Sequence, residues 1–286
     1  MSNPYNTDLD RNPANYQPLT PISFLERAAD VYPQHTAIVH GSIERNYHEF
    51  YSRSLRLASA LSRKGIIRGD TVSVILSNTP AMLESHYGVP MCGAVLHSIN
   101  TRLDPETIAY QLDHSNSKAL IVDREFLETA KSSLKIAQVS PILIDYNDSE
   151  HQVSESLPNA TEYESFLLEG DENFQWLMPE DEWDAISLNY TSGTTGNPKG
   201  VVSHHRGAYL LAQGNAMIAS IKKHSVYLWT LPMFHCNGWC FPWTMSAIIG
   251  THVCLRQVRA ALIWSSLKKN KVTHLCGAPI VMSTIL

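Results

Sequence analysis

Short apolar runs of β-type composition alternate along this chain with segments of helical periodicity, and that alternation narrows the fold more than any other feature. The runs are TVSVILS (71–77), AVLHSI (94–99), KALIVD (118–123), PILID (141–145), AISLNY (185–190), KGVVS (199–203), VYLWTL (226–231) and THVCLR (251–256). Phe24, Leu25, Ala28, Ala29 and Tyr32 recur at 3–4 spacing and predict a helix from about Pro21 that stops at Pro33. A longer helix is expected from Tyr47 to Lys64, with Gly65 suited to the position just past its end. Asp104-Pro105 reads as an N-cap and first-turn pair opening a helix toward His114. Further helices are expected over 205–219, 238–249 and 260–270. Strands joined through helices run parallel and are covered on both faces. The expected class is therefore α/β: layered, mostly parallel sheets flanked by helices. The chain divides on this reading into a first α/β lobe (20–145), an acidic connector (146–183) and the start of a second lobe (184–286).

The charge is uneven. From Asp145 to Asp184 there are 13 acidic residues and no Lys or Arg, which leaves 22 basic against 14 acidic residues elsewhere. The acidic stretch reads as a solvated excursion, and the surplus of +8 on the remaining body is a weak field for anionic ligands such as nucleotides. Lys and Arg are scattered rather than striped, so nucleic acid is not an expected partner. Five well-separated cysteines in a chain of 286 residues suit reduced thiols better than a disulfide framework. The N-terminus shows no signal-peptide pattern, and no apolar run approaches the ~18 residues a membrane span needs. The expectation is an intracellular protein, not secreted and without stable membrane insertion.

One segment concentrates chemistry: Tyr190-Thr191-Ser192-Gly193-Thr194-Thr195-Gly196-Asn197-Pro198-Lys199-Gly200. Glycines let backbone N–H groups turn inward around an anion, hydroxyls add donors, and lysine supplies a mobile point charge for phosphate oxygens. The ordinary alternative is a Gly-rich hairpin loop with a chance lysine. The Walker A pattern does not fit: Pro198 occupies its second glycine position, Gly200 follows the lysine, and the β-like Val201-Val202-Ser203 comes next instead of a helix. His235, Cys236 and Cys240 invite a metal or redox reading, but the cysteines stand as Cys-x3-Cys and no fourth ligand is near, so no metal site is expected.

The stretch LNYTSGTTGNPKGVVSHHRGAY resembles the phosphate-loop signature of the AMP-forming adenylating enzymes, which include acyl-CoA synthetases, luciferases and peptide-synthetase adenylation domains. LPMFHCNGW (231–239) resembles the next motif of that family, and KVTHLCGAP (271–279) the strand after it. NYQPLTPISFLERAADVYP and VPMCGAVLHSINTRL (89–103) look like the plant acyl-activating subgroup, near benzoate– and short-chain fatty acid–CoA ligases. The resemblance covers nearly the whole chain, and because peroxisomal addressing is common in that subgroup the expected location becomes cytoplasmic or peroxisomal.

By that resemblance, Thr191, Ser192, Gly193, Thr194, Thr195, Gly196 and Lys199 would hold the phosphates of ATP. Lys199 and His235 would be the catalytic residues of this part of the site. Charge builds on pyrophosphate as a carboxylate attacks the α-phosphate, and preorganised donors stabilise it. The small carboxylic acid substrate would lie against His235, Cys236, Asn237, Gly238, Trp239 and Gly277. Mg²⁺ would accompany ATP, and coenzyme A would be the co-substrate. Family members place a basic contact to coenzyme A near Arg256, where Gln257 aligns most closely, so this chain departs from the pattern there. His204 and His205 read as structural.

The apolar stretch from Ala278 to Leu286 opens a helix without a polar cap. The family's adenine-binding motif, ribose-binding aspartate, hinge and C-terminal domain find no match in the sequence. The expectation is an AMP-forming acid–CoA ligase cut short inside its second lobe and catalytically incomplete. Benzoate, butyrate, medium-chain and hydroxycinnamate-type acids all suit it. Two alternatives remain open at this stage: a non-catalytic short form that binds, and an adenylating enzyme with another acceptor, as in a luciferase-like oxygenase or a carrier-protein ligase.

Overall fold

The computed structural model describes residues 3–191 and 197–286. Its strands are β1 (Thr36–His40), β2 (Ile43–Asn46), β3 (Thr71–Ile75), β4 (Val95–Ser98), β5 (Ser117–Asp123), β6 (Ile142–Tyr146), β7 (Thr161–Glu162), β8 (Ala185–Tyr190), β9 (Gly200–His204), β10 (Val226–Leu228), β11 (Thr251–Val253) and β12 (His274–Leu275). The helices are α1 (Ile22–Val31), α2 (Tyr47–Arg63), α3 (Pro80–Met91), α4 (Pro105–His114), α5 (Leu127–Ile136), α6 (Tyr163–Leu168), α7 (His205–Ile218), α8 (Cys236–Trp239), α9 (Phe241–Ala247), α10 (Ala260–Asn270) and α11 (Pro279–Ile285). A seven-stranded sheet has the order β7-β6-β5-β3-β4-β8-β9, and a five-stranded sheet the order β12-β10-β11-β1-β2. Only the β8–β9 and β1–β2 pairs are antiparallel among the described strands. The fold is α/β with mostly parallel sheets flanked by helices, as the alternation of runs implied.

The sheets do not follow the division of the chain at 146–183. β1 and β2 leave the first segment to join β11, while β8 and β9 stay with the first sheet. Each sheet thus completes the other's hydrophobic layer. The largest core cluster accordingly runs from Ile22 to Cys254 without a break at the connector.

The acidic stretch is not a solvated excursion either. It contains β7 and α6, and its carboxylates meet the basic face of α2: Glu164 lies 2.7 Å from Arg53, Glu172 2.6 Å from Arg56, and Glu169 2.8 Å from Lys64. Partly exposed pairs of this kind add little stability each. Collectively they lay the segment across α2 and neutralise part of the basic surplus.

Between the sheets sits α3, every residue of which is buried. Gly88 lets it approach α2 closely, since a Cβ there would meet Leu57 Cβ at 2.8 Å. On its other side Tyr87 Oη donates to Pro242 O at 3.2 Å, and Trp243 Nε1 of α9 donates to His86 O at 3.2 Å. A second junction lies at strand ends. Arg256, after β11, reaches Asp123, Glu125 and Asp148 at 2.7 Å each, and His40 Nε2 of β1 lies 2.8 Å from the same Asp148. Burial pushes the Asp148 carboxyl up, but His40 and Arg256 outweigh it and hold it at about 2. Burial wins at Asp123, whose carboxyl is raised in spite of Arg256.

Four histidines lie deep in this core. Burial lowers His86 and His205 to about 4 and His97 and His252 to about 3, from an unperturbed 6.5. They are neutral when folded, whereas the unfolded chain takes up their protons below 6.5. Stability from this source is complete above pH 6.5. It falls as pH drops from there toward the folded values, by about 1.4 kcal/mol per pH unit for each group. Thermal melts from pH 8 to 5 check this: the midpoint is expected to stay flat to about pH 6.5 and then descend.

Candidate functional site

Strands β3, β4 and β8 point their carboxyl ends at one edge, the usual place for a ligand crevice in a parallel sheet. There β8 turns back into β9, and Tyr190 pairs with Gly200. Beyond that pair the turn is closed by two bonds: Thr191 N donates to Lys199 O at 3.0 Å, and Lys199 N donates to Thr191 Oγ1 at 3.1 Å. The Thr191 side chain therefore fixes the lysine's backbone. The Lys199 ammonium is exposed and has no carboxylate partner among the described residues. Ser192, Gly193, Thr194, Thr195 and Gly196 lie outside the described residues, as does the side chain of Asn237.

Helix α4 supports the turn from outside. Tyr110 Oη donates to Pro198 O at 3.3 Å, and His114 Nδ1 lies 2.7 Å from Tyr190 Oη. Burial pushes the Tyr190 hydroxyl up to about 12, so it stays protonated.

The second motif lies against the first. Asn189 Nδ2, on β8, donates to Phe234 O at 3.1 Å and to Ser98 Oγ at 3.0 Å, while Ser98 Oγ donates to Phe234 O at 3.3 Å. The loop from Trp229 to His235 is thus suspended from the ends of β4 and β8. His235 and Cys236 are exposed at its tip. Gly238 is buried at a left-handed φ of 55°, and a Cβ there would meet Trp229 Cζ3 at 2.8 Å. Trp239 is half exposed, and its carbonyl accepts from Asn215 Nδ2 at 2.7 Å. Thr230 Oγ1 donates to Cys276 O at 2.5 Å, which brings the segment containing Gly277 beside the loop.

A cleft of about 530 Å³ opens next to this assembly. Asn78, Leu231, Pro232 and Phe234 line one side, and Ala278 and Val281 another. Its walls come from the two segments expected around the acid, but through their neighbours: His235, Cys236, Gly238, Trp239 and Gly277 are not among its lining residues. Gln257 and Arg256 also border it. Arg256 is committed to three carboxylates, whereas Arg102 and Arg259 of the rim have no carboxylate partner among the described residues. Among those residues, no group of three or more His, Cys, Asp or Glu could hold a metal ion. No helix of the described residues is long and apolar enough to cross a membrane. His204 caps α7, accepting at Nδ1 from Gly207 N at 2.8 Å, and the buried His205 lies 2.9 Å from Thr20 Oγ1.

Sequence reasoning missed Asn78, Asn189, Tyr110 and His114. All four act on main-chain atoms or on a tyrosine hydroxyl far away in sequence, so no local motif marks them. The available signal was position: Asn78 and Asn189 are amides at the carboxyl end of apolar parallel strands.

An adenylate-forming architecture with a hydroxyl- and lysine-bearing turn is what these elements define. The chain belongs to the AMP-binding enzyme family, whose pattern matches residues 25–286. It is 49% identical over 290 residues to the peroxisomal acetate/butyrate–CoA ligase AAE7 of Arabidopsis thaliana, covering 98% of this chain and 51% of that protein. Among solved structures it is similar to the anthranilate CoA ligase AuaEII in complex with anthranoyl-AMP, with a TM-score of 0.84 and 21% identity over 96% of this chain and 52% of the other. It is also similar to the O-succinylbenzoate coenzyme A synthetase MenE of Bacillus subtilis in complex with ATP and magnesium ion. There the TM-score is 0.76 and the identity 22%, over 92% of this chain and 50% of the other. The chain spans about half the length of the curated relatives it matches.

Proposed function

We propose that this chain serves an AMP-forming acid–CoA ligase reaction, supplying the turn that holds the phosphates of ATP and part of the cleft that holds a small carboxylic acid. The observation that carries the reading is the closed β8–β9 turn, whose Lys199 ammonium has no carboxylate partner among the described residues, hooked through Asn189 to the loop bearing His235. The donor set suits a polyphosphate: a hydroxyl and a lysine, with the lysine free of any carboxylate among the described residues. Thr191, Ser192, Gly193, Thr194, Thr195, Gly196 and Lys199 would hold the β- and γ-phosphates, with Mg²⁺ arriving bound to the nucleotide.

The acid carboxylate attacks the α-phosphate, the bond to pyrophosphate breaks, and charge gathers on the leaving oxygens. A lysine and hydroxyls aimed there stabilise the transition state more than the ground state. His235, exposed beside the cleft, would face the acyl-adenylate, with Cys236, Asn237, Gly238, Trp239 and Gly277 around the acyl side. Coenzyme A would then take the acyl group as its thioester. The rim guanidinium groups of Arg102 and Arg259 suit the phosphates of that co-substrate better than the engaged Arg256.

The test uses the purified chain with ATP, Mg²⁺ and acids from acetate and butyrate to benzoate and cinnamate. Because the chain spans about half of its relatives, binding comes before turnover: nucleotide binding is expected, strengthened by the cognate acid, with slow acid-dependent release of pyrophosphate. Consumption of coenzyme A with the same acid would identify the acceptor. A folded chain that binds no ATP–Mg²⁺ and gains nothing from any acid contradicts the reading.

A further inference from the structure

The loop from Trp229 to Met233 has its main-chain polar groups turned toward one side chain. Asn78 sits in the turn between β3 and α3, 8% exposed, and all of its amide contacts go to that loop. Its Nδ2 donates to Trp229 O at 3.0 Å and to Leu231 O at 2.7 Å, and its Oδ1 accepts from Met233 N at 2.8 Å. A carboxamide offers two N–H donors and a carbonyl acceptor, and each kind is used here within five residues of chain. No other residue type of that length presents donors and an acceptor in one plane. Aspartate would face two carbonyls with a carboxylate, and leucine would leave three buried main-chain groups without partners.

β10 ends at Leu228, although the apolar run continues through Trp229, Thr230 and Leu231. Asn78 takes the place of a neighbouring strand over those residues. The loop leaves the sheet there, and its next residues carry Phe234 into the cleft wall and His235 to the exposed tip. Asn78 lines the same cleft.

We propose that Asn78 is a positioning residue for the acid side of the site: its amide fixes the 229–233 backbone and thereby sets Phe234 in the cleft wall and His235 at the exposed tip beside it. The proposal rests on the reading of that cleft as the acid site. Asn78 does not touch the β8–β9 turn, which its own Thr191–Lys199 bonds close and which meets this loop through Asn189 and Phe234 O, so the phosphate side is expected to change far less than the acid side.

The experiment compares the full chain with its Asn78→Ala and Asn78→Asp variants by hydrogen exchange and by ligand binding. In Asn78→Ala, amides from 229 to 238 are expected to exchange about 10- to 100-fold faster, as loss of buried hydrogen bonds implies, while β3 and β5 keep their protection. Asn78→Asp retains an acceptor for Met233 N, so that amide should stay slower than in the alanine variant. ATP–Mg²⁺ affinity should stay within about twofold of the parent, since no Asn78 bond reaches the turn. The added affinity given by butyrate or benzoate should be lost. Unchanged exchange over 229–238 in folded Asn78→Ala overturns the positioning role, as does an equal loss of ATP and acid binding. A parent chain that gains nothing from either acid counts against the acid reading, and the exchange comparison then decides the positioning of the loop by itself. If Asn78→Ala does not fold, Asn78→Asp decides: its 229–231 amides must exchange faster than the parent's.

Discussion

Replacing Glu84 with alanine is expected to cost about 3–5 kcal/mol, a large share of an ordinary domain stability of about 5–15 kcal/mol. Glu84 lies in the middle of α3 with its side chain wholly buried. Arg45 from β2 pairs with one of its oxygens, Arg53 Nε from α2 donates to that oxygen at 2.7 Å, and Tyr163 Oη from α6 donates to the other at 2.8 Å. Burial pushes the carboxyl up, but Arg53 and Arg45 outweigh it and hold it ionised below the usual range. Removing the carboxylate leaves two guanidinium groups with, among the described residues, only the half-exposed Glu164 to balance them. It also frees a buried tyrosine hydroxyl. Glu84→Gln keeps the shape and loses the charge, and should fall between alanine and the parent. Denaturant melts measure both; a loss under about 1 kcal/mol for alanine would mean the cluster relaxes by admitting water. The sign with pH follows from the lowered value: this contribution is present above the unfolded-state pKa near 4.5 and is lost as pH falls through the folded one.

Lys199→Ala is expected to act in the opposite manner, sparing stability and removing function. The side chain is exposed and makes no ion pair among the described residues, so the melt should shift by less than about 0.5 kcal/mol. Acid-dependent release of pyrophosphate should fall about 100-fold or more, the usual loss when a charge-stabilising donor is removed. Lys199→Arg should recover only part of it, because a planar fork does not reproduce a compact, mobile ammonium. Kinetics on matched, folded samples checks both statements. A large drop in stability would assign the lysine a structural role instead.

The elements that were legible in sequence are those whose causes are local. α2 is expected from Tyr47 with Gly65 past its end, and the structure shows why it starts there: Asn46 accepts from Glu49 N while Glu49 accepts from Asn46 N. The Asp104-Pro105 start of α4 is likewise a local bond, from Thr107 N to Asp104 at 2.8 Å. α3 falls among the helical segments expected between the apolar runs, but its bounds could not be drawn because it is buried on all sides. Glu84, Ser85 and His86 interrupt its apolar residues, and no stripe forms for periodicity to find. β1 and β2 are not among the runs read from sequence: β1 joins its sheet through β11, some two hundred residues away, and β2 pairs with β1 at the edge. The expected helix over 238–249 breaks into α8 and α9 at Trp239 and Cys240, which adopt left-handed φ of 55° and 63° before Pro242.

The candidate site divides in the same way. The turn chemistry of Thr191 and Lys199 and the second motif around His235 were readable as residue patterns. The hooks that join them, Asn78, Asn189 and Ser98, depend on which strand ends meet at the sheet edge, and that is decided by topology. Arg256 shows the converse: a basic residue near an expected phosphate contact is instead consumed by Asp123, Glu125 and Asp148.

The central claim is that the β8–β9 turn binds the phosphates of ATP. Calorimetric titration of ATP–Mg²⁺ into the folded chain and into Lys199→Ala tests it most directly. Saturable binding by the parent, weakened at least about 10-fold in the variant with an unchanged melting temperature, is the result the account predicts. Equal affinity in the two proteins, or no binding by a folded parent, would contradict it.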